Sequence, residues 1–288
     1  MSKNFLWGSS ISGGQCEGGY DSRSETVVDL IPAGKDTRFQ YLDNPGIYME
    51  RPAGFYPSQK GVEFYENYQE DIALYAQMGF KALRFSILWS RIFLDDSLTP
   101  NEEGLQFYDD VFDELLKYGI EPVITLSHFE MPYHLAKEYG GFMNRKTIDF
   151  FVKFAKVCFE RYKDKVKYWM TFNEINNQAN YKADVAVFTN SGILFEEGED
   201  REAIVYQAAL YELIASAKAV KIAHEINPDL QVGCMIGMNG VYPASPKPED
   251  MMNALGAMHQ KYWYVEVHAR GHYPRHILKK FERKGYDF

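Results

Sequence analysis

The feature that most constrains this chain is an alternation of short apolar runs with longer stretches of helical periodicity. The runs are Phe5 to Ser12, Ala82 to Trp89, Glu121 to Phe129, Tyr168 to Glu174 and Gln231 to Met238. After the first run, Tyr65, Tyr68, Ile72 and Tyr75 recur at helical spacing between Phe64 and Gly79, where glycine supplies a stop. Thr99-Pro100-Asn101-Glu102 has the form of a capping box with proline at the first helical position. The helix it opens carries Leu105, Tyr108, Phe112 and Leu115 on one face. Arg145 to Val166 is amphipathic, with Ile148, Val152, Ala155, Phe159 and Tyr162 inward and Lys153, Lys156, Glu160 and Lys163 outward. Ala203 to Asn227, Glu249 to Ala269 and His276 to Lys284 are further helical stretches. Tyr20 to Lys60, rich in Gly, Pro and Asp, reads as one long loop.

Continuous apolar strands separated by helices predict a parallel sheet covered by helices. Polar groups gathered just past the strand ends favour a (β/α) barrel over a doubly wound sheet. No Gly-rich dinucleotide loop, phosphate loop or Gly-x-Ser-x-Gly elbow is present. The expectation is a single α/β domain over residues 1–288, an incomplete (β/α)8 TIM-barrel type with about five of its eight βα units. The outer strands of such a piece lack neighbours. The chain is therefore expected to be marginal alone, to form a homo-oligomer through these edges, or to be completed by a separate C-terminal polypeptide.

The run Met170-Thr171-Phe172-Asn173-Glu174 ends by presenting a carboxylate beside an amide, a placement that suits a general acid protonating a leaving oxygen. A capped or salt-bridged acid is the plainer reading of an isolated Asn-Glu pair, and Asn101-Glu102 is such a pair at a helix start. Around Glu174, however, Asn173, Asn176, Asn177 and Gln178 form a polar run after a buried strand. His128 follows the neighbouring strand and should open onto the same face, where a neutral imidazole can donate to a hydroxyl. Arg84, inside an apolar strand, needs a buried partner, and a carboxylate elsewhere in the site is the expected one. Gln15, in a glycine-rich segment after the first strand, offers the donor and acceptor of an amide. Tyr262, Trp263 and Tyr264 lie in a helical stretch and are read as core.

A net charge of −9 excludes nucleic acid and anionic membranes as expected partners. No stretch approaches the roughly 20 apolar residues of a membrane span, and the apolar run near Met1 is too short for a signal peptide. Cys16, Cys158 and Cys234 are far apart and fit no metal spacing, a pattern of reduced thiols that suggests a cytoplasmic protein without a metal site.

Four ordered motifs, FLWGSSISGGQCEGG, ALRFSILWSRI, TLSHFEMP and TFNEIN, together resemble glycoside hydrolase family 1, the β-glucosidase and 6-phospho-β-glycosidase family. The longer segments KGVEFYENYQEDIALYAQMGFKALRFSI and GGFMNRKTIDFFVKFAKVCFERYKDKVKYWMTFNEINNQ look like its bacterial phospho-β-glucosidase branch. The resemblance implies retaining hydrolysis of β-glucosides, 6-phosphorylated ones in this branch, through a covalent glycosyl-enzyme and without metal or organic cofactor. By the same resemblance Glu174 is the acid/base, Asn173 holds the sugar 2-hydroxyl, Gln15 and His128 bind other glycone hydroxyls, and Arg84 orients the nucleophile. The family's nucleophile lies in a Thr-Glu-Asn-Gly type motif that these residues do not contain; the sole Glu-Asn pair is Glu66-Asn67, on a surface helix. The nucleophile is absent, and so are the family's phosphate-binding serine, lysine and tyrosine. The chain alone is therefore expected to be inactive, the alternatives being a plain β-glucosidase or a non-catalytic sugar-binding remnant.

Overall fold

A computed structural model of the chain describes residues 5–35, 44–51 and 53–287. Five strands, β1 (Gly8–Ser10), β2 (Ala82–Ser86), β3 (Glu121–Ser127), β4 (Tyr168–Phe172) and β5 (Gln231–Gly233), form one all-parallel sheet in sequential order. The longer helices are α1 (Phe64–Gln77), α2 (Glu102–Lys117), α3 (Lys146–Tyr162), α4 (Asp184–Ser191), α5 (Arg201–Ile226), α6 (Pro248–Arg270) and α7 (Arg275–Lys284).

The two faces of the sheet differ. Leu83, Phe85, Ile124 and Trp169 are buried beneath the helices. Trp169 meets Phe159 of α3 edge-on at 4.9 Å, and Phe85 meets Phe112 of α2 at 5.7 Å. On the opposite face Arg84, Val123 and Met170 are only half-buried. The outer strands are open as expected. All of β1 is exposed, as are Gln231 and Gly233 of β5.

Several boundaries differ from the sequence expectation. β1 and β5 are three residues each, shorter than the runs Phe5 to Ser12 and Gln231 to Met238. The run Ala82 to Trp89 leaves the sheet after Ser86 and turns into a short helix, Trp89–Ile92. Pro100 is not the first helical residue. It bridges Phe93, while Asn101 uses its side-chain amide on the Arg91 carbonyl at 3.0 Å, so no capping box forms and α2 starts at Glu102.

Within the described residues the stretch from Tyr20 to Lys60 is not one irregular loop; residues 36–43 and 52 lie outside them. It contains 3-10 turns at Tyr20–Ser22, Val27–Leu30 and Pro45–Glu50 and a short helix, Pro57–Lys60. A fully buried ion pair anchors it: Arg23 donates both terminal nitrogens to Asp29, at 2.6 and 2.8 Å, and Ser58 donates to the same carboxylate at 2.5 Å.

Candidate active site

Ladder hydrogen bonding runs one residue past β4, where the Asn173 amide donates to the Ser127 carbonyl at 2.8 Å. At Glu174 the backbone turns into the left-handed region, φ 48° and ψ 48°, which non-glycine residues seldom adopt. That conformation costs on the order of 1 kcal/mol or more and swings the chain out of the strand into a 3-10 turn, Ile175–Asn180. Neighbours hold it there. Asn177 donates its backbone N–H to the Glu174 carbonyl at 2.7 Å and its side-chain amide to Glu174 Oε2 at 2.9 Å. The Asn176 side chain donates to the Gly237 carbonyl at 2.8 Å and accepts from the Gly237 N–H at 2.9 Å. This brings the segment after β5 so close that a Cβ on Gly237 would lie 3.1 Å from Glu174 Cδ.

Arg84 projects from β2 toward the same end. It donates Nε to Thr125 Oγ1 at 3.0 Å and Nη2 to Asn173 Oδ1 at 2.5 Å. The carboxylate expected to pair with Arg84 is not bonded to it. Among the described residues its partners are neutral, and burial pulls the guanidinium pKa down while the charges of Glu174 and Glu130 oppose that shift. Because Asn173 Oδ1 is taken by Arg84, the remaining donor of that amide, Nδ2, is the atom left for a ligand hydroxyl.

Gln15 and His128 line one cavity of about 840 Å³. Gln15 lies on a short helix, Gly13–Cys16, rather than in a flexible glycine run; its side chain is exposed, and its Oε1 accepts from Ser12 Oγ at 3.0 Å. His128 is half-buried and stacks on Phe129 at 5.1 Å. Glu174, Asn173 and Ser127 line a smaller cavity next to it, and Phe129 borders both. The sequence-predicted residues therefore gather at one end of the sheet: Gln15, His128, Asn173 and Glu174 lie past the carboxyl ends of β1, β3 and β4, and Arg84 reaches them from within β2.

Two acids escaped the sequence reading. Glu130, buried beneath the larger cavity, accepts from the Gly14 N–H at 3.0 Å, from Ser86 Oγ at 2.8 Å and from the His128 N–H at 3.2 Å. One carboxylate thus ties together the ends of β1, β2 and β3 and fixes the residues flanking Gln15 and His128. Its signal was the one that marked Glu174, an acid just beyond an apolar strand. Glu212, in the middle of α5, is buried and accepts from Ser191 Oγ at 2.7 Å and Gln178 Nε2 at 2.8 Å. Burial raises its pKa from 4.5 to about 7 against the pull of those two bonds. Its position was legible too. Val205, Ala208, Ala209, Glu212, Ser216 and Ala219 recur at helical spacing, so the acid interrupts a buried stripe.

Among the described residues no three His, Cys, Asp or Glu side chains are grouped to hold a metal ion, and the three cysteines are free. Glu66 and Asn67 are exposed on α1. Trp263 and Tyr264 are core residues of α6, whereas Tyr262 is half-buried and bonds the Asn239 backbone. No helix is long and apolar enough to cross a membrane among the described residues.

In comparisons with known proteins, residues 1–287 match glycosyl hydrolase family 1. Aryl-phospho-beta-D-glucosidase BglA of Bacillus subtilis (strain 168) is 53% identical, the match covering 100% of this chain and 60% of that protein. 6-phospho-beta-glucosidase AscB of Escherichia coli (strain K12) is 46% identical, over 98% of this chain and 59% of that protein. The family 1 β-glucosidase from Thermotoga maritima superposes with a TM-score of 0.78 at 27% identity, over 100% of this chain and 60% of that one. The chain spans about 60% of the length of the relatives it matches.

Proposed function

This chain belongs to glycosyl hydrolase family 1, and we propose that it supplies the acid/base half of a retaining 6-phospho-β-glucosidase. In this reading its five βα units are the first five of a (β/α)8 barrel. Glu174 protonates the glycosidic oxygen and later takes a proton from the attacking water. The observation that carries the proposal is the strained turn at the end of β4. It projects Glu174 beside an asparagine whose Oδ1 is occupied by Arg84, leaving Nδ2 to donate to the sugar 2-hydroxyl. Gln15 and His128 bind the remaining glycone hydroxyls from the adjoining cavity. Arg84, bonded only to neutral groups among the described residues, keeps its charge for the nucleophilic carboxylate.

Phosphorylated substrates are favoured over plain β-glucosides because the relatives at 46–53% identity are named as phospho-glucosidases, whereas plain β-glucosidases appear at about 30%. Free thiols fit a cytoplasmic setting.

Retention needs two carboxyls about 5 to 5.5 Å apart, and no Thr-Glu-Asn-Gly motif occurs in these residues to supply the second. The 288-residue chain alone is therefore inactive, and activity returns when a polypeptide carrying the remaining βα units is added. Assays on aryl β-glucosides with and without a 6-phosphate test this. Turnover by the isolated chain at the rate of a complete relative overturns it, as does activity in a reconstituted Glu174→Gln protein.

A further inference from the structure

Behind Glu174 lies a cavity of about 10 Å³ whose lining includes Ser127, Asn173, Gln178, Asn190 and Glu212. A buried water needs roughly that volume and two to four polar partners. The lining provides them. Gln178 Oε1 is buried and has no hydrogen-bond partner among the described residues, although the Nε2 of the same amide donates to both Ser191 and Glu212. Among the described residues Glu212 is buried with no cation paired to it, and both of its hydrogen bonds end on Oε1. A carboxyl so placed is held as the neutral acid, with Oε2 free to carry the proton.

We propose that a single internal water in this cavity joins Glu212 to Glu174, making Glu212 a positioning residue for the acid/base. The water accepts from the Glu212 O–H and donates one hydrogen to Gln178 Oε1 and the other to the Glu174 carboxylate. These three bonds satisfy Gln178 Oε1 and the Glu212 O–H and steady the carboxylate that remains after Glu174 has given up its proton. If Glu212 ionises, the donor is lost and a second negative charge faces Glu174 across the water. The other groups packed against Glu212 do not offset this. Ser191 from α4 and Gln178 from the 3-10 turn are neutral, and Tyr264 from α6 is a buried phenol whose hydroxyl has no hydrogen-bond partner among the described residues.

The inference rests on the reading of Glu174 as the acid/base, and its test is independent of turnover. The 288-residue chain, labelled with carboxyl-¹³C glutamate, is titrated by NMR from about pH 4 to pH 9, with Glu174→Gln and Glu212→Gln assigning the two resonances. The Glu174 signal is expected to show a second inflection at the midpoint of Glu212, and that inflection vanishes in Glu212→Gln. A Glu174 curve without the second inflection, or an inflection that survives Glu212→Gln, overturns the proposal. Should Glu212→Gln not fold, Ser191→Ala decides. Loss of one donor to Glu212 raises its midpoint, and the Glu174 inflection must move upward with it; an inflection that stays put refutes the link. Activity retained by a reconstituted Glu174→Gln enzyme would instead remove the acid/base role while leaving the titration result intact.

Discussion

Replacing Glu212 with glutamine removes a carboxyl that burial holds neutral while keeping an oxygen to accept from Ser191 and Gln178. The variant therefore mimics the protonated wild type. Below pH 4.5 the unfolded chain also carries this proton, and the two proteins should respond to pH alike. Above it the unfolded carboxyl ionises while the folded one stays protonated until pH passes about 7. The folded state binds the extra proton across this window, so wild-type stability falls as pH rises through it and then levels off. At roughly 1.4 kcal/mol for each tenfold change in proton affinity, the rise from 4.5 to about 7 amounts to about 3 kcal/mol. His268, whose pKa burial lowers to about 4, acts with the opposite sign but is common to both proteins and cancels in their difference. Urea denaturation of both at about pH 4.5 and pH 8.5 provides the measurement. The variant should gain about 3 kcal/mol on the wild type between those conditions. A difference that stays constant to within about 0.5 kcal/mol would refute the reasoning, because Glu212 would then titrate alike in the folded and unfolded chain.

Gly237→Ala sets a methyl group 3.1 to 3.3 Å from the Glu174 carboxyl. Once the barrel is complete, kcat should fall about tenfold or more through misplacement of the acid, with stability changed by under about 1 kcal/mol; unchanged kcat would show that the carboxyl position is not set by this contact. Asp29→Ala strands Arg23 in the buried segment before α1 and should cost about 3 to 5 kcal/mol in denaturant unfolding. A loss below about 1 kcal/mol would mean that packing alone holds that segment.

The parts legible in the sequence were those governed by local periodicity. Tyr65, Tyr68 and Ile72 mark α1, Ile148, Ala155 and Phe159 mark α3, and Met170 to Phe172 lead to Glu174, because burial of one face imposes a spacing that residues display in order. What escaped depends on partners distant in the chain. Arg23, Asp29 and Ser58 give no periodic signal, and their turns exist because three side chains separated by as many as 35 residues converge. The loss of the capping box at Thr99 likewise follows from Asn101 reaching back to the Arg91 carbonyl, a contact no local pattern encodes. The candidate site residues are single residues at or near strand ends, whereas Glu130 and Glu212 bind groups far away in the chain, Gly14 and Gln178 among them, which no local pattern encodes.

A carboxamide has the same donor and acceptor spacing as a peptide group, and Asn176 uses it that way on Gly237. Where the left-handed turn has carried the main chain out of the ladder, this side chain stands in for a missing rung between β4 and the segment beyond β5. Glu174, two positions away, thus inherits the stiffness of a strand although it occupies a loop, and β5 can guide that loop despite being only three residues long.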